Sequence, residues 1–346
     1  MTIDTVALVE SPAQFLNLLE WVHAERAADR TVAMVLAPVE HTGREQLRQM
    51  AAFAAEEHVA VEWYDPRKST PQRLQVVRQL AGRVSRARRL VVGDPFSGMI
   101  QALLVVARPR QVVVVDDGTA TMEFASQLLS GEPLRRWDAP PAMMETLRTP
   151  LAWNARRFFR SDRVRIFTVM PVAGMPPHQI NQHSYDWTRR RFGPPRTLPG
   201  VDIVGSSLVE SGVVNEESYL AAISVLAGRH GNQGRYYAHR KEDDRKLDRI
   251  RQATNLDVRR PTVPLEIELR RGPVAQVLAS FPSSVGYTLP LVLAGVPTRV
   301  ELQPVPTDML TPRVGDAARR FLSRISADLR NNGEDHSTGH IAPMSI

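Results

Sequence analysis

The chain contains no cysteine, which removes disulfides, thiolate catalysis and every thiolate metal site, and nothing else in it asks for an oxidising compartment. No apolar run reaches the roughly 18 residues of a membrane span. The opening stretch, Met1 to Glu10, carries acids at Asp4 and Glu10 and reads as a strand, not as a basic region followed by a long apolar one. No export signal is therefore expected, and a cytoplasmic location is. Repeats of solenoid period are missing. So are helix-turn-helix, zinc-finger and RNA-binding signatures, which argues against a nucleic-acid partner. There is no compact Asp-x-Asp motif to hold a divalent cation on a diphosphate, since Asp243 and Asp244 fall at a helix start rich in Lys and Arg.

What is present suits two α/β domains: 346 residues with 43% hydrophobic side chains, against an ordinary domain of about 100 to 200 residues. The net charge of +7 is carried mainly by arginine, with clusters at Arg156, Arg157 and Arg160 and at Arg189, Arg190 and Arg191. Such clusters fit an anionic substrate, peripheral contact with an anionic membrane face, or simply a solvated basic surface.

Short β-branched runs alternate with amphipathic stretches over the first 130 residues, the pattern of βαβ units around a parallel sheet. Strands are predicted at 5–10, 31–38, 59–64, 89–94 and 111–116, with helices at 12–29, 44–58, 71–86 and 97–107. These five strands make one doubly wound domain. From 131 to 200 the pattern degrades, leaving one clean strand at 163–169. A second series then begins, with strands at 202–207, 234–240, 277–281 and 298–302 and helices at 215–229, 243–254, 285–294 and 315–329. The expected architecture is thus α/β, two Rossmann-like domains facing a central cleft: an N-terminal domain over 1–160, a linker over 161–200, a second domain over 201–330 and a disordered tail over 331–346.

Ligands of open α/β sheets sit beyond the carboxyl ends of the strands, so the strand-to-helix turns carry the candidates. Ser11 to Gln14 follows the first strand, and reads equally as a plain helix start with Pro12 in its first turn. Asp116-Asp117-Gly118 ends the most apolar strand. Two adjacent acids there point in opposite directions, so one can take a proton from an acceptor hydroxyl while the other binds backbone; an Asp-Gly turn with a helix cap is the plainer reading. Tyr236 to Glu242 brings His239, Arg240 and Lys241 to the end of a second-domain strand, where a histidine and two cations suit a phosphate. Ser283 and Ser284 open a later helix whose amides can meet an anion, or they simply cap it.

In order and spacing these turns resemble the bacterial sialyltransferases of glycosyltransferase family 52 and the bacterial polysialyltransferases. That group opens with a strand and a Ser-Pro-x-Gln-x-x-Asn helix start, here Ser11-Pro12-Ala13-Gln14-Phe15-Leu16-Asn17. Its two-acid-plus-glycine motif is matched by Asp116-Asp117-Gly118, its histidine motif by Tyr236, Tyr237 and His239, and its serine pair by Ser283-Ser284. Gly205-Ser206-Ser207-Leu208-Val209-Glu210 is similar to its second-domain entry strand. Arg240 stands where the group has proline after the histidine.

The resemblance implies a GT-B glycosyltransferase that moves a CMP-linked nonulosonic sugar to a glycan or glycolipid hydroxyl with inversion, without metal or other cofactor. Asp117 would be the base. His239 would stabilise or protonate the leaving phosphate, with Arg240, Ser283 and Ser284 assisting. Ser11, Gln14, Asp116, Gly118, Gly205 and Ser206 complete the expected binding set. Glu210, Glu216 and Glu217 are rival acids; Asp117 is preferred because a sheet's carboxyl edge is where ligands bind. Two other readings stay open: a GT-B enzyme with a different nucleotide sugar, and a Rossmann pair that binds a nucleotide or glycan without turnover.

Overall fold

A computed structural model describes residues 3–67, 70–136 and 145–312, together with 314, 319, 322, 323, 325 and 327. The predicted last helix falls mostly, and the predicted tail wholly, outside the described residues. The chain divides into two compact units, one of residues 1–195, 261–272 and 291–293, the other of residues 196–260, 273–290 and 294–346.

The first unit is a parallel seven-stranded sheet with helices between its strands. In chain order it runs β1 (Thr5–Val9), α1 (Pro12–Glu25), β2 (Thr31–Leu36), α2 (His41–Glu56), β3 (Ala60–Tyr64), α3 (Thr70–Arg86), β4 (Arg89–Val92), α4 (Gly98–Ala107), β5 (Gln111–Val115), α5 (Ala120–Ser130), α6 (Glu145–Phe159), β6 (Val164–Thr168), β7 (Ile180–Gln182) and α7 (Asp186–Phe192). The strand order is β3-β2-β1-β4-β5-β6-β7. The central strands are buried on both faces, as all-parallel sheets require, which is why β1, β2 and β5 read as continuous apolar runs.

Two expectations are corrected here. The sheet has seven strands rather than five, and the stretch over 161–200 is no linker: it supplies β6, β7 and α7 to the first unit. β6 pairs with β5 through Val112↔Val164 to Val115↔Phe167 and buries Val164, Ile166 and Phe167. β7 has only three residues, too few to show a period.

The second unit runs β8 (Thr197–Val204), α8 (Glu216–Arg229), β9 (Gly234–Tyr237), α9 (Asp244–Ala253), β10 (Asp257–Arg259), then β11 (Val274–Ser280), α11 (Val285–Val292) and β12 (Arg299–Leu302). Between β10 and β11 the chain returns to the first unit to contribute α10 (Leu265–Arg271). The order is β10-β9-β8-β11-β12, again all parallel. Asp202 of β8, wholly buried, takes a bidentate pair from Arg235 at 2.7 Å and the Ala275 amide at 2.7 Å, so one carboxylate ties β9, β8 and β11 together.

Both sheets reverse direction of growth at their first strand, between β1 and β4 and between β8 and β11. At such a switch point the flanking turns diverge and leave a crevice at the carboxyl edge. Ser11 and Asp94 flank the first crevice. Gly205, Ser206 and the Phe281 to Ser284 turn flank the second.

Candidate active site

In the first unit the helix start after β1 holds the acid pair after β5. Ser11 accepts the Gln14 amide at 3.2 Å, capping α1, and donates its hydroxyl proton to Asp117 Oδ1 at 3.1 Å. One helical turn on, Asn17 Nδ2 donates to the Asp116 carbonyl at 3.1 Å. Gly118 takes a left-handed φ of 63°, a conformation that favours glycine. The Asp117 amide donates to Thr121 Oγ1 at 3.3 Å.

The two acids do point apart. Asp116 is buried, accepting from Thr168 Oγ1 at 2.5 Å and the Val169 amide at 2.7 Å, so it fastens the turn to β6. Asp117 meets Ser11 and Arg136, whose Nη2 lies 3.2 Å from Asp117 Oδ2 and 3.0 Å from Asp94 Oδ2. Burial pushes the Asp94 carboxyl up to about 6, with Arg136 pulling it down and the charges of Asp117 and Glu10 adding to the rise.

Asp116 and Gln14, expected among the ligand contacts, are both buried and hold neighbouring elements together. Gln14 is buried, its Oε1 accepts the Glu10 amide at 2.8 Å, and it fills the space where a Cβ on Gly93 would stand, 2.2 Å from its Cγ.

In the second unit a buried network underlies the turns after β8 and β9. Glu242 accepts from the His239 amide at 2.6 Å, the Tyr236 hydroxyl at 2.6 Å and Lys246 Nζ at 2.8 Å. Tyr236 meets Tyr219 at 2.9 Å, whose hydroxyl takes the Ser206 amide at 3.2 Å. Lys246 also donates to the Ser206 carbonyl at 3.2 Å, lies over the Tyr219 ring and pairs with Glu210 at 2.9 Å. Burial raises the Glu242 carboxyl, against the pull of Lys246. A Cβ on Gly205 would stand 2.2 Å from Glu242 Oε2, so only glycine lets β8 end against this network.

His239 Nδ1 accepts the Lys241 amide at 3.2 Å, which leaves the ring proton on Nε2. Burial, followed by the charges of Arg240, Lys241 and Lys246, pushes its pKa down to about 3. At neutral pH it is an Nε2–H donor and not an imidazolium. Among the described residues neither Arg240 nor Lys241 has an ion-pair partner. Ser283 and Ser284 are half-buried ahead of α11, and their carbonyls accept the amides of Gly286, Tyr287 and Thr288.

The rival acids are engaged elsewhere: Glu210 with Lys246, Glu216 and Glu217 with Arg249 at 2.6 and 2.7 Å. Asp243 caps α9 by accepting the Lys246 amide at 2.7 Å, and Asp244 pairs with Arg260. Of the arginine clusters, Arg191 pairs with Glu56 and Glu57 and lies over Phe53, Trp187 and Phe192, while Arg156 donates to the Leu128 carbonyl. Among the described residues no three His, Asp or Glu side chains gather as a metal site. Sequence reading missed Asp94, Glu242 and Lys246. A glycine before each turn, Gly93 and Gly205, was the available signal of close packing there.

No protein-family model matches the chain, and no curated protein does either. Solved structures match over nearly its whole length. α/β-Galactoside α-2,3-sialyltransferase from the luminous marine bacterium Photobacterium phosphoreum superposes with a TM-score of 0.54 at 9% identity, covering 95% of each chain. A sialyltransferase from Photobacterium damselae, in the part described as its GT-B domain, gives 0.50 at 12% identity over 95% of this chain and 97% of that one. A UDP-N-acetylglucosamine 2-epimerase homologue from Listeria monocytogenes gives 0.52 at 12% identity over 97% and 90%. The chain therefore has the α/β fold of the GT-B class, with two parallel sheets forming two Rossmann-like domains. At these identities the likeness speaks for the fold alone, and no helix among the described residues is long and apolar enough to cross a membrane.

Proposed function

We propose that the protein is an inverting glycosyltransferase that uses a CMP-activated nonulosonic acid as donor and a glycan hydroxyl as acceptor. The observation that carries the reading is the division of labour in the acid pair: Asp116 is spent on β6, while Asp117 is held by the Ser11 hydroxyl at the carboxyl edge of the sheet. That is the arrangement a general base needs, a carboxylate aimed by a neighbour at a strand end where ligands bind. The motif order shared with family 52 enzymes supports the choice of donor.

In this reading Asp117 removes the acceptor proton as the hydroxyl oxygen attacks the anomeric carbon, and the bond from that carbon to the phosphate oxygen breaks. The nucleotide leaves as CMP. His239, neutral with its proton on Nε2, donates a hydrogen bond to the developing phosphate charge and transfers no proton of its own. Arg240, Ser283, Ser284 and the amides after β8 share the rest of the charge. In this reading the reaction runs in the cytoplasm, and the basic surface meets an anionic membrane that carries a glycolipid acceptor.

A thermal-shift comparison of CMP, UDP, GDP and ADP tests the donor class, because a ligand that binds only the folded state raises apparent stability. CMP should give the largest shift, and the shift should survive EDTA. A larger shift with UDP or UDP-N-acetylglucosamine would favour a different nucleotide sugar, a use the same fold serves in the epimerase homologue.

A further inference from the structure

The helix α4 has no polar outer face. Of its 10 residues only Gln101 is polar, and Gln101 is buried, donating to the Pro95 and Leu134 carbonyls. Met99, Ile100, Leu103, Leu104 and Ala107 turn into the core of the sheet. What faces outward is Ala102, half-buried, with Val105 at 38% and Val106 at 65% exposure. A helix that is apolar all round is ordinarily covered.

Its neighbours on that face of the sheet, α3 and α6, frame this apolar strip with arginine. α6 buries Ala152, Ala155 and Phe159 and turns Trp153, Arg157 and Arg160 outward, at the spacing of one helix face. Trp153 is 46% exposed, and the Arg156 guanidinium lies over its ring at 5.6 Å. The ends of α3 and α4 add Arg86, Arg88, Arg108 and Arg110, all exposed and, like Arg157 and Arg160, without an ion-pair partner among the described residues. Between Pro66 and Val115 the single acid is Asp94, against nine arginines and one lysine. The other face differs. The strand order and right-handed crossovers put α1 and α2 there, and the chain from Pro12 to His58 carries seven acids against four arginines. Arginine at helix ends suits the helix dipole, but the dipole does not explain an apolar strip between the arginines.

Whatever covers this face must be apolar at its centre and anionic at its rim. A second copy of the chain, meeting it across a two-fold axis, would set arginine against arginine. Nucleic acid would answer the arginines and leave the valines against phosphate. An anionic lipid surface answers both, with phosphates for the arginines, acyl chains for the valines and the boundary between them for tryptophan. We propose that the face formed by α3, α4 and α6 docks on an anionic membrane, with Val105, Val106 and Trp153 entering the headgroup region and the surrounding arginines pairing with lipid phosphates. The face includes no residue of the candidate site, so docking leaves the turn of Asp117 uncovered. The inference rests on the proposed function only for the presence of a membrane, since lipid binding is read without donor or acceptor.

Co-sedimentation of the full-length chain with vesicles tests this. Vesicles of equal parts phosphatidylcholine and phosphatidylglycerol should carry the protein down, vesicles of phosphatidylcholine alone should not, and added salt should release it. Arg157→Gln/Arg160→Gln should weaken partitioning at least about tenfold, each arginine near an anionic surface being worth roughly fivefold. Val106→Asp should weaken it as well, by setting a like charge against the lipid phosphates. All three positions are exposed, so circular dichroism should not change; should Val106→Asp misfold, Val105→Ser/Val106→Ser reads the same strip. Phosphatidylcholine brominated along its acyl chains should quench tryptophan fluorescence in the anionic vesicles, and Trp153→Phe should remove most of that quenching. Absence of sedimentation with anionic vesicles overturns the proposal, as does sedimentation that the substitutions leave unchanged or quenching that survives Trp153→Phe. Binding to duplex DNA in place of vesicles, lost with the arginines and kept in Val106→Asp, would overturn it in favour of a polyanion site, and a parent dimer split by Val106→Asp in favour of a self-contact. If CMP gives no thermal shift but the vesicles bind, only the donor reading falls. If sugar is transferred to a soluble acceptor and the vesicles do not bind, only this inference falls.

Discussion

Ser11 and Asp117, 106 residues apart in the chain, meet at 3.1 Å through a hydroxyl that also caps α1. One side chain thus starts the helix and aims the candidate base. Six residues later Asn17 holds the carbonyl of Asp116, so the two ends of the Ser-Pro-x-Gln-x-x-Asn segment grip adjacent residues of one turn.

Ser11→Ala should therefore cost more than a cap. Loss of the cap alone is worth about 1 kcal/mol, and loss of a hydrogen bond to a carboxylate adds a further ~1 kcal/mol or more. Chemical denaturation should show a drop of about 2 kcal/mol, and Ser11→Thr should recover most of it. Nucleotide affinity should not change, because the hydrogen bonds of Ser11 to Asp117, Gln14 and Phe15 all lie in the first unit.

Gly205→Ala should destabilise the second unit. Its new Cβ would stand 2.2 Å from Glu242 Oε2 and 2.7 Å from the Tyr236 hydroxyl, and overpacking of this kind costs about 1 to 3 kcal/mol. Lys246→Met should be worse, about 3 to 5 kcal/mol, since it leaves Glu242 buried without its cation. Urea unfolding of both variants checks the order. Equal stability of Lys246→Met and the parent would show that the network does not hold the turns.

The pH dependence of stability should carry two opposed contributions. His239 has a folded pKa of about 3 against an ordinary value of 6.5, so the unfolded chain binds the proton first and stability falls as pH drops from 6.5 towards 3. Asp94 is raised from 3.8 to about 6. Here the folded chain binds the proton first, and stability falls as pH rises from 3.8 to 6. His239→Asn should remove the first slope and Asp94→Asn the second. Denaturation midpoints at pH 4, 5, 6 and 7 measure both, and a slope untouched by its own substitution would refute that assignment.

Much of this arrangement is legible in the chain. The alternation of β-branched and amphipathic runs gives the strands that form both switch points, and the helix starts at Ser11, Asn215 and Asp243 all cap as their residue types suggest. The opposed directions of Asp116 and Asp117 follow from strand geometry. What escapes is what depends on partners far away in sequence. Asp94 looks like a strand end until Arg136 is beside it, 42 residues on. Glu242 and Lys246 look like an exposed charged turn, since nothing local says that two tyrosines and Glu210 close over them. The short elements β7, β10 and α10 fail for another reason: with three, three and seven residues, they are too brief to display a period.

The central claim is that Asp117 is the base and that it acts on the acceptor and not on the nucleotide. The direct measurement is sugar transfer by Asp117→Asn from CMP-N-acetylneuraminic acid, set beside its affinity for CMP. The account expects transfer lowered by about 100-fold or more with CMP affinity nearly unchanged. Transfer at the parent rate in Asp117→Asn, or its loss in Glu210→Gln or Glu217→Gln instead, would contradict it.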